Sequence, residues 1–363
     1  MSYDLVAFKD LIGQFPTWDA LKNHLQQLRL RIIDCGNDYY IIRYEKGDSH
    51  FSNPVVPLFR SVVWDARTHL PVCVSPPKAT EGLPESFEGV QFEEFLEGVM
   101  INLFLDRDNE VRCVTRSKLD ATGTFYSNRS FQELLGDAEP DLRAVLVLTG
   151  STFASLLLQH PEHRIVSRIT EPTSHIIHTG TVAADGLVQI TDRVPVITKP
   201  SDVPFDQWFR QLSESKGWQW QGLVMKEGTR RYRLRSSAYT MVRTMRGDSP
   251  RTDLRFLKLR EKQMLETYAY YYPEDQAAMR SLEQKIRGIT HQLYSLYVDC
   301  HIKHAIAFAD LVPQFKTHVW SLHNQYLTVL KARNHFIRKR EVIEYVNALP
   351  APRILHLLKL ADA

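Results

Sequence analysis

The chain has 363 residues, 44% of them apolar and 24% charged, which is ordinary globular composition with length for more than one core. Its longest apolar stretches, such as Val145 to Leu148 and Leu156 to Leu158, fall far short of the roughly 20 residues that a membrane-spanning helix needs. The opening residues MSYDLVAFKDLIGQF carry acids early and lack both a basic n-region and an apolar h-region, so a soluble, cytoplasmic protein is expected, with no membrane contact. Four cysteines lie far apart without CxxC spacing, a pattern that excludes a disulfide framework and a zinc ribbon. The formal charge of +3 conceals an asymmetry: between Lys226 and Lys262 there are twelve Lys or Arg and four Asp or Glu, a local net of +8 that leaves −5 for the rest. That segment is the candidate polyanion surface.

In chain order, the amphipathic run WDALKNHLQQLRLRII (18–33) predicts a helix and YYIIRYE (39–45) an alternating strand, so that residues 1 to about 50 form an α/β extension. A strand-rich region follows. Its candidate strands are SVVWDA, LPVCVS, GVMINLFLD, EVRCVTRS, AVLVLTG, HRIVSRI, SHIIHTG, GLVQIT, QGLVMKEG and RYRLRS, many separated by Asp, Asn and Gly turns. Ser130 opens a helix at Phe131 to Leu135, and Asp206 to Ser215 forms another. After about residue 253 the apolar spacing becomes helical, in LRFLKLREKQMLETYAYY, the long run AAMRSLEQKIRGITHQLYSLYVDCHIKHAIAFA, FKTHVWSLHNQYLTVLKARNHF and RKREVIEYVNAL. Pro250, Pro273, Pro313 and the Pro350/Pro352 pair punctuate these helices. The expected organisation is α+β: an antiparallel-sheet domain at 1–252, followed by an all-α domain at 253–363.

Several segments of the strand-rich region carry candidate chemistry. Phe95-Leu96-Glu97-Gly98 precedes the strand VMINLFLD; Pro76-Pro77-Lys78 lies upstream and Arg116-Ser117-Lys118 downstream. His160-Pro161-Glu162-His163-Arg164-Ile165-Val166, Gln221-Gly222-Leu223-Val224 and Tyr232-Arg233-Leu234-Arg235 follow in that order. The ordered set resembles the nucleotide-binding motifs of ATP-dependent RNA ligases of the bacteriophage type: Lys-x-Asp/Glu-Gly, Arg-Ser-Lys, Ser-Pro-x-Asn-Arg-Ile-Val, Glu-Gly-x-Val and Lys-x-Lys. The stretches SKLDATGTFYSNRSFQELL and MRGDSPRTDLRFLKLREK are similar to RNA-ligase-like proteins of giant DNA viruses. The resemblance spans roughly residues 55 to 260. It implies a nucleotidyltransferase domain of the ATP-grasp-like ligase kind, and ATP with Mg2+ as cofactors if ligase activity is kept.

The departures fall on particular groups. In the family a lysine amine attacks the α-phosphorus of ATP and carries AMP to an RNA 5′-phosphate; here its position is Phe95, whose ring has no lone pair to give. Leu157 stands where a carboxylate contacts the nucleoside. Gln221 replaces a Glu that helps hold the divalent cation, and a neutral amide attracts Mg2+ more weakly. Arg233 and Arg235 replace the closing lysines and keep charge suited to gripping phosphate. The resemblance therefore implies a nucleotide-binding set of Glu97, Gly98, Arg116, Lys118, Arg164, Gln221, Lys226, Arg233 and Arg235. The basic segment adds Arg230, Arg231, Arg243, Arg246 and Arg251 as nucleic-acid contacts.

The leading expectation is a nucleotide- or RNA-binding pseudoenzyme with the helical domain as an RNA or protein platform. Two alternatives remain: an active RNA ligase with a relocated nucleophile, Lys78 or Lys118, and a structural or virion-associated scaffold. No metal site is expected of the protein's own residues, since Cys300, His301 and His304 have no second ligand cluster in the sequence. Trp218 and Trp220 alternate as on one face of an extended segment where a base could stack, and Tyr268, Tyr270, Tyr271 and Tyr272 form an aromatic cluster with core packing as its bland reading.

Overall fold

Strand alternation and capped helices build the first 243 residues into a layered α+β unit. The computed structural model describes residues 2–361, with Met1–Arg243 and Thr244–Ala363 as separate compact units. The chain opens with β1 (Ser2–Leu5), α1 (Val6–Gln14) and α2 (Trp18–Gln27). Next come β2 (Leu30–Asp34), β3 (Tyr39–Tyr44), β4 (Val62–Asp65), β5 (Leu70–Val74), β6 (Thr80–Glu81), β7 (Gln91–Glu94), β8 (Val99–Leu105) and β9 (Val111–Val114). Two helices, α3 (Phe131–Ala138) and α4 (Leu142–Thr149), precede β10 (Phe153–Gln159), β11 (Thr173–Val182), β12 (Val188–Asp192) and β13 (Val196–Ile197). Then α5 (Phe205–Lys216), β14 (Gly222–Glu227), β15 (Arg230–Arg235) and α6 (Ser237–Arg246) complete the element order of this part.

The strands form three sheets, ordered β1-β12-β11-β10-β8-β9, β13-β7-β14-β15-β6 and β2-β3-β4-β5. Every pairing between these strands is antiparallel except β15 with β6. Strand β8, between β10 and β9, is apolar apart from Asn102 because both of its faces are covered. Phe104 joins α1, α2 and the four-stranded sheet in one core, while Ile101 and Leu103 pack with Leu134, Leu135 and Val145 of α3 and α4 in another. A third core sets Trp208 of α5 and Trp220 against Phe92, Leu223 and Met225 of the five-stranded sheet.

Local chemistry corrects several sequence expectations. The run 18–33 is helical only to Gln27; its end, from Leu30, is extended and pairs as β2 with β3. AVLVLTG is not a strand but most of α4, because Asp141 caps the helix by accepting from the Ala144 amide and Gly150 ends it in the left-handed conformation at φ +61°. HRIVSRI is not a strand either: Pro161 starts a single 3-10 turn, and the Arg164 side chain folds back to donate to the Val166 carbonyl at 2.9 Å. Ser130 does open α3, through a reciprocal capping box with Glu133.

The second unit is helical, with α7 (Thr252–Glu261), α8 (Leu265–Tyr271), the long α9 (Gln276–His301), α10 (Pro313–Gln325), α11 (Lys339–Asn347) and α12 (Ala351–Ala361). Phe256, Ile286, Leu293, Phe315, Leu322 and Val342 are buried on its helices. Tyr268 and Tyr272 stack in the interior at 4.5 Å between centroids, whereas Tyr270 is exposed, so the tyrosine cluster is divided between core and surface. Among the described residues no helix is long and apolar enough to cross a membrane.

A buried polar node ties two of the sheets. The Ser155 hydroxyl lies 2.7 Å from Asn102 Oδ1 and 2.9 Å from His178 Nε2, and the same ring nitrogen lies 2.9 Å from the Val74 carbonyl. Burial, with Arg231 adding to it, pushes the His178 imidazole down to about 3. Because the folded value lies below that of an unfolded histidine, the unfolded chain takes up the proton first as pH falls. The contribution to stability is therefore complete above the ordinary value near 6.5 and is lost progressively between about pH 6.5 and 3. His178→Gln is expected to lower stability at neutral pH while flattening its acid dependence in that window. Urea denaturation at a series of pH values checks this, and parallel profiles for the two proteins would contradict it.

Candidate phosphate-binding pocket

The five-stranded sheet presents one face of β15 to a cavity of about 330 Å3 that lies wholly within the first unit. Side chains alternate along a strand, so Arg231, Arg233 and Arg235 share the cavity side, while Tyr232 and Leu234 pack into the core around Trp208 and Trp220. Lys46 comes to the cavity from beyond β3, Arg60 from just before β4, Lys78 from between β5 and β6, Arg116 from the turn after β9 and Arg243 from α6. In all, eight Lys or Arg side chains and three Glu line the space.

The like charges act on one another. Burial lowers the Lys46 ammonium, and Arg233, Arg116 and Lys78 push it further down. The Arg60 guanidinium is lowered to about 10, by burial first and by Arg231, Arg116 and Arg233 in addition. Among the described residues, Arg231 Nη1 and Arg235 Nε are buried donors that find no acceptor.

Phe95 also lines this cavity. Its amide donates to the Gly222 carbonyl at 2.9 Å, which continues the β7–β14 pairing into the segment that carries it. The Arg235 guanidinium sits 5.1 Å from the Phe95 ring centroid, a cation–π contact. Two glycines near Phe95 permit close backbone approaches. A Cβ on Gly98 would lie 2.5 Å from the Leu158 carbonyl oxygen, and one on Gly222 would lie 2.0 Å from that of Leu234.

The carboxylates around the cavity are committed to protein partners. Glu97 accepts from the Val166 and Ser167 amides at 3.0 and 3.1 Å, although burial raises its carboxyl above the usual range. Glu94 pairs with Lys216 at 3.1 Å. Glu93 lies 2.6 Å from Lys226, whose ammonium is also 2.7 Å from Asp192. Glu81, on the edge strand β6, bridges Arg233 at 2.7 Å and Arg235 at 3.0 Å. Burial opposes its ionisation, but those two guanidinium groups hold its carboxyl below the usual value.

Of the residues singled out in the sequence, Lys78, Glu97, Gly98, Arg116, Gln221, Arg231, Arg233, Arg235 and Arg243 come together at the cavity. Six others lie outside its lining. Lys118 is exposed in the turn made with Thr115. Arg164 is buried against backbone carbonyls and faces the Trp218 ring. Lys226 is 1% exposed and locked between two carboxylates. Arg230 is exposed next to the β14–β15 turn, and Arg251 is exposed and paired with Asp253. Arg246 belongs to the helical unit, where it and Arg255 converge on Asp275.

Trp218 and Trp220 also separate, since a 3-10 turn at Gly217–Gln219 sends Trp220 into the core. Lys46 and Arg60 were not anticipated. Each is a lone basic residue outside the basic segment, next to an alternating or apolar run.

No known family profile matches the chain, and no curated protein does. Solved structures do. An archaeal ATP-dependent RNA ligase aligns over 76% of this chain and 77% of its own at 11% identity and a TM-score of 0.41. A second form of an archaeal ATP-dependent RNA ligase aligns over 78% and 82% at 13% identity and a TM-score of 0.40. A protein of Aquifex aeolicus assigned as an ATP-dependent DNA ligase aligns over 86% and 80% at 10% identity and a TM-score of 0.39.

Replacing Lys226 by methionine removes the cation and leaves Glu93 and Asp192 facing each other in the interior. The expected loss is about 3–5 kcal/mol, the cost of an uncompensated buried charge. Chemical denaturation measures it, and a loss below about 1 kcal/mol would contradict the bridging role of Lys226.

Proposed function

We propose that the chain binds the phosphate groups of a nucleotide or of RNA in the β15 pocket, and that it does so without transferring AMP through the residue at position 95. The observation that carries this reading is the row Arg231, Arg233 and Arg235 facing a cavity that Phe95 also lines, with its ring against the Arg235 guanidinium. A guanidinium stays charged in partly buried surroundings and offers a planar fork of donors that matches phosphate oxygens. A phenyl ring supplies an apolar, weakly negative face for such a group and has no nucleophilic electron pair. The lining therefore favours holding an anion over forming a phosphoramidate.

ATP fits this donor set through its phosphates. A protein-held Mg2+ fits less well, because hard cations favour anionic oxygen ligands, Glu93 and Glu97 are buried and engaged by Lys226 and by the Val166 and Ser167 amides, and position 221 offers only a neutral amide oxygen. One observation favours a second reading, a ligase with a relocated amine: Lys78 also lines the cavity, with its ammonium 4.7 Å from the Phe51 ring centroid. Lys118 has no such position.

Incubation with α-labelled ATP and Mg2+ followed by denaturing electrophoresis is expected to give no labelled protein band. A covalent band that disappears in Lys78→Ala would overturn the binding-only reading in favour of the relocated amine. In parallel, binding to a short RNA should weaken steeply with salt, and Arg233→Ala should reduce the slope of log K against log salt by about 1, as for one lost phosphate contact. RNA binding that ignores both salt and this substitution would contradict the placement of the phosphate seat.

A further inference from the structure

We infer that the β15 pocket takes a polyphosphate group directly on its guanidinium and ammonium side chains, with no divalent cation between protein and phosphate, and that an incoming phosphate takes the place of the Glu81 carboxylate on Arg233 and Arg235. The inference rests on the phosphate-binding reading above and specifies the ligand class and the form in which it binds.

Eight cationic side chains line the cavity against three carboxylates; Glu93 and Glu97 are buried and held by Lys226 and by the Val166 and Ser167 amides, which leaves the partly exposed Glu94, paired with Lys216, as a single carboxylate against eight competing cations. A metal-bridged site needs the reverse arrangement, with free oxygen ligands offered to the cation. What the cavity offers instead is donors, two of them buried and unmatched on Arg231 and Arg235. A naked triphosphate carries several negative charges over consecutive phosphates, and the alternation of β15 sets cations at two-residue steps along one face. Mg2+ on such a ligand would occupy oxygens that the guanidinium groups need and would cancel part of the attraction.

Glu81 indicates how the seat is kept when no ligand is bound. Its carboxylate accepts from Arg233 Nε at 2.8 Å and from Arg235 Nη1 at 3.0 Å, spanning two guanidinium groups much as two phosphate oxygens would. It is carried on a two-residue strand at the sheet edge and stays largely exposed. Exposed ion pairs of this kind contribute little to stability, so a more highly charged anion can displace it.

The test is isothermal titration of the full chain with sodium tripolyphosphate, in EDTA and then in excess MgCl2. Parallel titrations use ATP, a 5′-triphosphorylated oligoribonucleotide and the same oligoribonucleotide with a 5′-hydroxyl. Tripolyphosphate is expected to bind in EDTA and to bind several-fold more weakly in Mg2+. Arg233→Gln should weaken it by about tenfold, and Glu81→Gln, which keeps shape while removing the competing charge, should tighten it.

Preference for ATP over the triphosphorylated RNA assigns a free nucleotide as the source of the group, and the opposite preference assigns an RNA end; either supports the inference. Binding that requires Mg2+, or a Glu81→Gln protein that binds no more tightly than the parent, overturns the inference while leaving the phosphate-binding reading intact. Absence of binding by all four ligands in both buffers overturns that reading as well.

Discussion

The ion cluster at Lys226 is the contact on which the geometry of the first unit depends. Its ammonium lies 2.6 Å from Glu93 on β7 and 2.7 Å from Asp192 on β12, so one side chain from β14 joins the five-stranded sheet to the six-stranded one. Burial pushes the Lys226 ammonium down and the Glu93 carboxyl up, and the short contacts of the ammonium with Glu93 and Asp192 offset that cost. The consequence is positional. Fixing β14 against β7 and β12 also fixes β15, paired with β14 from Gly222–Arg235 to Glu227–Arg230, and a one-residue slip would turn all three pocket arginines to the opposite face.

With register fixed, the chemistry of the cavity follows from which cations a half-buried, crowded site can keep charged. Lys46 and Arg60 are both pushed down by burial and by their neighbours, but a guanidinium begins so high that it stays protonated where an ammonium is more readily lost. Arginine rather than lysine at positions 231, 233 and 235 therefore suits a crowded, half-buried face. Phe95 belongs to the same arrangement, since a lysine there would add another cation next to Arg235, whereas the ring contributes attraction to it. The aromatic ring at position 95 and the arginine at position 235 are thus parts of one packing arrangement.

How much of this was legible in the sequence depended on whether the signal was local. Alternation in Arg231-Tyr232-Arg233-Leu234-Arg235 marked one strand, and the mostly apolar run Val99 to Leu105 marked another. Gly98 and Gly222 stood out beside their motif-like neighbours, and both prove to be sites where a Cβ would strike backbone. Residues 144–150 misled because their apolar, β-branched character resembles a buried strand, whereas the Asp141 cap and the Gly150 terminator decide for helix. Lys226 looked like part of the basic surface, and only the long-range approach of Glu93 and Asp192 reveals it as interior. Lys46 and Arg60 carried no local signal, since their roles arise from the four-stranded sheet packing beside β8.

The most direct test of the account is a crystal structure of the protein grown with ATP. The account predicts phosphate density between Arg231, Arg233 and Arg235, close to the position now held by the Glu81 carboxylate, with no covalent connection to any side chain. Density running continuously from a lysine ammonium nitrogen to the α-phosphorus, or nucleotide bound away from β15, would contradict it.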